Sequence, residues 1–315
     1  MSIHLRTKLL FIYVSLFMVC SESLYAQNVK KRTSFRGANA SAKKTFYIGM
    51  NDLSETTYKA LDNEGIKYAY IFYKIDFDRN NSGNVDSTQL VRSINSKIPN
   101  NITNGIAVID WEETEWLKIT NPNTPSDSLN AAIDKYLRAL RIAKECRPNL
   151  SWGIYGLPLR RYWYRDDLEK DNNRILRLLK AQDVYYLDIY DFYENNWKGD
   201  SAYVADNVRY ALKLGYQYKK PVIPFVWHRY HTSNKKVGLE KIPEKYFLDY
   251  IRVAATTSYK QSTIKGLIWW SAEKYFFMQN PKLMKEIDDG QTVESHINNS
   301  VLNLAPKINQ KIRPY

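Results

Sequence analysis

Gly105-Ile-Ala-Val-Ile-Asp-Trp-Glu112 is an apolar strand that ends in an acid, an aromatic residue and a second acid. Side chains alternate between the two faces of a strand, so we expect Asp110 and Glu112 to point the same way and Trp111 the opposite way. In a parallel barrel, the carboxyl ends of the strands form the mouth that carries active sites. This stretch therefore predicts a carboxyl pair at a barrel mouth, with a pair of exposed loop acids as the simpler alternative.

Apolar runs rich in β-branched and aromatic residues recur along the chain, with helix-like segments such as Leu129–Cys146 between them. Strands interleaved with helices predict a parallel sheet with crossover helices. No GxGxxG follows the first strand and no GxxxxGK(S/T) occurs, which disfavours an open nucleotide-binding sheet. We expect one α/β domain, a distorted (β/α) TIM-like barrel of about seven parallel strands. The expected strands are Phe46–Ile48, Tyr68–Tyr73, Ile106–Ile109, Trp152–Tyr155, Tyr185–Tyr190, Val222–Trp227 and Leu267–Trp270.

The two ends of the chain differ from this pattern. Residues 1–26 have a positive start, a short apolar run and a small, polar tail, which is typical of a secretory signal peptide cleaved after Ala26. We expect a secreted or periplasmic protein; lipid anchoring at Cys20 is less favoured, because Val19 is bulky for that cleavage. No other segment of the sequence is long and apolar enough to predict a membrane span. We expect a flexible basic leader at 27–44, the barrel at 45–290 and a loosely packed C-terminal extension at 291–315.

The chain carries a formal net charge of +13, and such a field attracts polyanions. Nucleic acid, acidic glycans and anionic membrane surfaces all fit this charge. No nucleic-acid-binding module is present in the sequence, so we expect no nucleic-acid partner. Cleavage of the signal would leave Cys146 as the one cysteine, so the core must form without an internal disulfide, and we expect a buried structural thiol.

The predicted carboxyl pair limits the chemistry. Two neighbouring carboxylates resist being charged together, so one pKa rises, and a raised pKa suits a general acid near neutral pH. Carboxylates two apart on one strand lie side by side and cannot flank a sugar ring from opposite faces. Either a second carboxylate lies on another strand, or the substrate supplies its own nucleophile, as an N-acetyl group does in certain glycosidases.

Aromatic residues cluster at the ends of the other predicted strands. Sugar rings stack on aromatic faces and phenols hydrogen-bond hydroxyls, although core packing explains any single one of these residues. Their recurrence after separate strands favours a sugar-binding cavity. The residues are Tyr155, Tyr162, Tyr164, Tyr190, Phe192, Tyr193, Trp227, Tyr230, Trp269 and Trp270.

Other candidate sites are weaker. Residues 76–83 resemble the start of a calcium loop, but Asn81 and Ser87 stand where an EF-hand needs Gly and Glu, so we expect a turn. His228 and His231 have a metal-like spacing without an HExxH motif. No GxSxG elbow supports a serine triad. We therefore predict no metal and no cofactor.

Several motifs, in order over roughly residues 45–275, resemble the hyaluronidases of glycoside hydrolase family 56, of which the chain looks like a divergent bacterial-type member. The family's third strand ends in Asp-aromatic-Glu. The matching segments are Ile106–Glu112, Trp152-Gly-Ile-Tyr-Gly-Leu-Pro158, Lys219-Lys-Pro-Val-Ile-Pro-Phe-Val-Trp227 and Ile268-Trp-Trp-Ser271.

The resemblance implies a distorted barrel that cleaves N-acetylhexosamine-containing glycans with retention. It implies that Glu112 protonates the leaving oxygen and later activates water, and that Asp110 positions the acetamido group. Tyr190 falls on a family active-site tyrosine and Trp270 on the tryptophan that shapes the same pocket. Together with the aromatic pattern, this gives the substrate-binding candidates Tyr190, Trp270, Tyr155, Tyr162, Arg161 and Trp227.

The chain departs from the family near these residues. After Pro158 the family has Cys and then an active-site Tyr, whereas Arg160 and Arg161 stand here and Tyr162 is one residue late. These arginines, with Arg165, fit either uronic carboxylates or surface charges. The first hypothesis is a hydrolase of hyaluronan- or chondroitin-like acidic polysaccharides. The alternatives are a chitinase- or muramidase-type glycosidase and a non-catalytic glycan-binding barrel.

Overall fold

Strand β3 (Gly105–Asp110) lies inside a curled parallel sheet, as its apolar sequence predicts. The computed structural model describes residues 43–160, 167–192 and 194–313. Six strands pair side by side in the order β4-β3-β2-β1-β8-β5, all parallel. The other five are β1 (Thr45–Gly49), β2 (Lys67–Tyr73), β4 (Leu150–Ile154), β5 (Phe225–Val226) and β8 (Gly266–Trp270).

Helices follow the strands along the chain, and strands β6 (Ser258–Tyr259) and β7 (Ser262–Thr263) form a separate small hairpin. The helices are α1 (Glu55–Asn63), α2 (Ser87–Lys97), α3 (Thr114–Thr120), α4 (Ser126–Cys146), α5 (Leu168–Arg174), α6 (Leu176–Ala181), α7 (Trp197–Tyr218), α8 (Glu244–Thr256), α9 (Glu273–Gln279) and α10 (Val293–Ile312). Short 3₁₀ turns cover Lys74–Asp76 and Pro281–Glu286. No described helix is both long and apolar enough to span a membrane.

The remaining predicted strand, Tyr185–Tyr190, lies between the two edges of the sheet. Tyr186 pairs in parallel with Tyr155, just past β4, and Asp188 pairs in parallel with Phe225 of β5. The backbone N–H of Phe225 also donates to the carbonyl of Leu187 at 2.8 Å. The segment makes bridges rather than a regular strand. The prediction of a distorted barrel-like parallel fold is confirmed, and all seven predicted strand positions take part.

Two apolar layers explain which way the side chains of β3 point. Ile106 and Val108 belong to the cluster inside the curled sheet, with Ile71, Phe225 and Ile268. The residues between them, Ala107 and Ile109, belong to the larger cluster between sheet and helices. This alternation with a period of two is what a strand buried on both faces requires.

Helix α4 confirms the helical spacing in the sequence, because its predicted apolar face is buried. Cys146 at its end is half-buried rather than fully buried, with its thiol 3.8 Å from Asn95 Oδ1. The expected turn at 76–83 is present: Asp78 accepts hydrogen bonds from the backbone N–H groups of Ser82 and Gly83.

The prediction of a loosely packed C-terminal extension is wrong for the described residues up to 313. Helix α10 buries Ile297, Val301, Ala305, Ile308 and Ile312, which are spaced three or four apart. These residues pack against α8 and α1 because that spacing places them on one helical face. The predicted signal peptide and nearly all of the predicted leader lie outside the described residues.

Candidate active site

The carboxyl end of β3 carries the predicted acids at the mouth of the curled sheet. By the alternation of the strand, Asp110 follows the interior-facing series of Ile106 and Val108, and Glu112, two residues further along, lines the cleft. Trp111 points the opposite way: it is buried and packs edge-on against Phe77 at 5.2 Å. The Tyr136 hydroxyl donates to the carbonyl oxygen of Trp111 at 2.5 Å. The fixed position of Trp111 therefore holds both flanking acids toward the interior.

Glu112 lines a cleft of about 390 Å³ at this mouth. Four candidate aromatic residues line the cleft: Tyr155, Tyr190, Trp227 and Trp270. Each comes from the end of a different strand or of the bridge segment, which is Tyr185–Tyr190. The lining residues are Glu112, Trp116, Thr120, Tyr155, Gly156, Leu159, Arg160, Asp188, Tyr190, Trp227, His231, Thr232, Trp270 and Phe276. The cleft therefore joins one of the two predicted acids, Glu112, to an aromatic wall and to Arg160, whereas Asp110, at the end of β3, is not among the lining residues.

The surroundings of the two acids favour their protonated forms. Burial, then the charges of Glu112 and Asp188, raise the pKa of Asp110 well above its usual range. The residue Glu112 as a whole is exposed at the cleft, but its carboxyl group is partly desolvated. This desolvation and the charge of Asp188 raise the pKa of Glu112 to about 7, while the charge of Arg160 opposes the rise. A carboxyl group with this pKa can hold and release a proton near neutral pH.

Tyr190 is the centre of the aromatic wall. Its ring centroid lies 5.9 Å from that of Trp270, 5.7 Å from that of Trp227 and 6.3 Å from that of Tyr155. Such contacts fix ring orientations, and a fixed aromatic wall can stack against a sugar ring.

Hydrogen bonds hold the two tryptophans in place from behind. Trp270 Nε1 donates to the Tyr73 hydroxyl at 3.0 Å, and Trp227 Nε1 donates to Ser271 Oγ at 3.2 Å. Ser271 Oγ in turn donates to Glu273 Oε1 at 2.5 Å. The aromatic wall is therefore connected to a buried charged cluster outside the cleft.

Arg160 forms an ion pair with Asp188 inside the cleft. Its guanidinium also lies 4.9 Å from the centroid of the Phe192 ring. Of the two interpretations from the sequence, a surface charge is wrong for Arg160, because its side chain is largely buried and paired in the cleft; binding of a uronic carboxylate stays a prediction. Arg161, Tyr162, Tyr164, Arg165 and Tyr193 lie outside the described residues.

Among the cleft residues that sequence reasoning missed are Asp188, Trp116 and Phe276. Asp188 stands in Leu-Asp-Ile-Tyr190, two residues before a strand end, so the same alternation that points to Asp110 was available there. Trp116 lies over Gly156, where a Cβ atom would come within 2.8 Å of its ring and φ is +75°. A glycine is needed at that position for both reasons.

The histidine pair does not form one site. His231 lines the cleft, whereas His228 is buried outside it and accepts a hydrogen bond from Trp269 Nε1 at 3.1 Å. Burial lowers the pKa of His228 to about 4, so this side chain is neutral at physiological pH. Across residues 43–160, 167–192 and 194–313, no cluster of three potential metal ligands occurs.

No family model matches the chain. It is 26% identical over 224 residues to hyaluronidase Tab y 2.0101 of Tabanus yao, an alignment covering 58% of this chain and 61% of that protein. The chain thus spans about three fifths of the length of this curated relative. The resemblance to hyaluronidases that the motifs predict is confirmed.

Solved structures extend this likeness to the fold. Bee venom hyaluronidase superposes with a TM-score of 0.57 at 16% identity, over 84% of this chain and 99% of that one. The bee venom enzyme in complex with a hyaluronic acid tetramer gives a TM-score of 0.53 at 15% identity, over 82% and 99% of the two chains. The described chain therefore has the hyaluronidase fold.

Proposed function

We propose that this protein is a glycoside hydrolase that cleaves N-acetylhexosamine-containing glycans, with hyaluronan- or chondroitin-like polysaccharides as the first substrate class. The observation that carries the proposal is the placement of Glu112, with its pKa of about 7, in a cleft walled by Tyr190, Trp227 and Trp270. Similarity to hyaluronidases in sequence and fold supports the same class.

In the proposed mechanism, protonated Glu112 gives its proton to the glycosidic oxygen as the bond to the anomeric carbon breaks. The substrate's acetamido carbonyl oxygen attacks the anomeric carbon from the opposite face and forms a cyclic intermediate. Asp110, beside Glu112, positions and stabilises that acetamido group. Glu112, now a carboxylate, takes a proton from water, which opens the intermediate with retention of configuration. The side-by-side acids fit this route, because no carboxylate is needed across the ring.

The aromatic wall and the arginine supply substrate binding in this proposal. Tyr190 and Trp270 enclose the sugar whose bond is cut, and Tyr155 and Trp227 extend the stacking surface. Arg161 and Tyr162 remain proposed contacts. Among the described residues, the site proposed here uses no metal and no cofactor.

The experiment that tests the function is an assay for new reducing ends. The protein is incubated separately with hyaluronan, chondroitin and chitin oligosaccharides, and the products are separated by mass. We expect cleavage of hyaluronan or chondroitin. Cleavage of chitin alone would favour a chitinase-type enzyme, and binding of all three glycans without cleavage would favour a non-catalytic barrel.

We further propose that the chain is exported, with residues 1–26 removed. A basic protein outside the cell would meet acidic polysaccharides, and its charge would draw them toward the cleft. N-terminal sequencing of the protein recovered from periplasm or medium tests this proposal. A start at Gln27 is expected, and an intact Met1 would contradict it.

Substitution of Asp188 and substitution of Arg160 should shift the pH dependence of kcat/KM in opposite directions. The proton on Glu112 is needed at the first step, so kcat/KM should fall as pH rises through the pKa of Glu112, about 7. Asp188→Asn removes a charge that raises this pKa, so the fall should move to lower pH. Arg160→Gln removes a charge that lowers it, so the fall should move to higher pH.

The pair Asp134 and Arg177 supplies the control for these two variants. Their ion pair, 2.7 Å long, is largely exposed and lies on α4 and α6, away from the cleft. Asp134→Asn and Arg177→Gln should leave the pH profile of kcat/KM where it is. Shifts in the same direction for Asp188→Asn and Arg160→Gln would contradict the assignment of Glu112 as the titrating acid.

A further inference from the structure

A second aromatic surface lies on the same face of the fold as the cleft. Helices α7 and α8 follow the bridge segment and β5, so both begin at the carboxyl ends of the strands. Trp197 begins α7 and Tyr246 lies in the first turn of α8. Their ring centroids are 6.2 Å apart with planes 28° apart, and 38% and 43% of these residues are exposed. Two adjacent aromatic rings that are partly exposed form a surface on which a sugar ring can stack.

A pocket of about 110 Å³ opens beside these rings. It adjoins the cleft, because Asp191 follows Tyr190 in the chain and the backbone of His231 donates to the Asp191 carbonyl at 2.8 Å. The pocket is too small for a whole sugar ring and large enough for one exocyclic group. Its lining residues are Asp191, Asn195, Asn196, Trp197, Asp200, Tyr230, Tyr246 and Tyr250.

Tyr250 gives the pocket an unused polar atom. Its side chain is 2% exposed, and its hydroxyl has no hydrogen-bond partner among the described residues. A buried hydroxyl without a partner is unfavourable for the fold, by roughly 1–3 kcal/mol. Tyr250 lines the pocket, so its unpartnered hydroxyl is the candidate partner for a polar group of a ligand that enters there.

The acids of the pocket suit a ligand that both donates and accepts hydrogen bonds. Burial, then the charge of Asp191, raise the pKa of Asp200 to about 7. The Asp200 carboxyl is also hydrogen-bonded to Asp191, and a carboxyl pair that shares a proton offers both a donor and acceptors to a hydroxyl or amide.

We propose that Trp197, Tyr246 and this pocket form an accessory glycan-binding site for a neutral N-acetylhexosamine residue. The sugar ring stacks on Trp197 and Tyr246, and its acetamido group enters the pocket between Tyr250 and Asp200. The proposal rests on the proposed function in one respect, that the ligand of the protein is a glycan. The site would hold a part of the chain away from the bond that is cut.

The test uses the full-length Glu112→Gln protein, which should cleave glycans too slowly to disturb a binding measurement. This protein is titrated with N-acetylglucosamine tetramer in a calorimeter. We expect two binding events, one in the cleft and one at the accessory site. Trp197→Ala should weaken one of them about three- to tenfold, the loss of a stacking contact. The matched control is Tyr216→Ala, an exposed tyrosine near the other end of α7, which should leave both events unchanged.

Tyr250→Phe separates a role in binding from a role in folding. It removes a hydroxyl without a partner, so the Tm should stay the same or rise, while the same binding event weakens. Unchanged binding in both Trp197→Ala and Tyr250→Phe would overturn the accessory site. Tighter binding of the de-N-acetylated tetramer, which carries ammonium groups, would also overturn it and indicate a cation site.

Failure of this site and failure of the proposed function give different results. Cleavage by the wild-type protein together with binding that does not depend on Trp197 would remove the accessory site and leave the hydrolase. Binding that depends on Trp197, without cleavage by the wild type, would do the reverse.

Discussion

Glu112→Gln is expected to lower kcat for glycan cleavage by at least about 10²- to 10⁴-fold, the usual contribution of a general acid. Glutamine fills the same space but cannot give a proton to the glycosidic oxygen or take one from water. Binding should persist, because the wall formed by Tyr190, Trp227 and Trp270 is unchanged. The measurement is single-turnover cleavage of a hyaluronan oligosaccharide, with binding followed by calorimetry.

The neighbouring residue Glu113 provides the control for this variant. It lies one position further along the chain and pairs with Lys74 at 2.6 Å. Glu113→Gln makes the same chemical change and should retain most of the turnover. Equal losses in Glu112→Gln and Glu113→Gln would mean that the first variant acts through general disturbance of the loop and not through proton transfer.

Arg229→Met is expected to lower the free energy of unfolding by about 3–5 kcal/mol. Arg229 is fully buried and bonds Glu273 at 2.6 Å and Glu286 at 2.9 Å. Burial raises the pKa of Glu273, but the charge that His228 carries below its own pKa of about 4, the charge of Arg229, and hydrogen bonds from Arg229 and Ser271 outweigh burial and hold the value at about 2. Without Arg229, Glu273 is a buried carboxylate that has lost its main partner. Chemical denaturation measures the loss.

The exposed pair Arg177 and Asp134 is the reference for that experiment. Arg177→Met breaks an ion pair in which both side chains are more than half exposed, so it should cost less than about 1 kcal/mol. The depressed pKa of Glu273 contributes stability above its unfolded value, near 4.5, and this contribution is lost as pH falls toward 2. An equal cost for Arg229→Met and Arg177→Met would show that the buried cluster is not a support of the fold.

Much of the fold and part of the site can be predicted from local sequence. The alternation along β3 has a period of two, so it fixes the common direction of Asp110 and Glu112 without knowledge of any neighbour. The aromatic wall is predictable for a related reason, since Tyr190, Trp227 and Trp270 each end a separate apolar run. A parallel barrel brings strand ends together whatever connects them.

The pairing of Arg160 with Asp188 could not be predicted in this way. The two residues are 28 positions apart, on separate segments that only the tertiary fold brings together. No periodic pattern reports such a contact. The packing of α10, in contrast, is present in the spacing of Ile297, Val301 and Ala305, but Pro306 lies inside the helix, and proline ordinarily marks an end.

If Glu112 acts with the substrate's own acetamido group, cleavage proceeds with retention, and the stereochemistry of the product reveals this. A short hyaluronan oligosaccharide is cleaved in deuterated buffer, and the first anomeric proton signals are recorded by NMR before mutarotation. We expect a new reducing end with the configuration of the bond that was cut. An inverted reducing end, or an unsaturated uronic acid without addition of water, would contradict it.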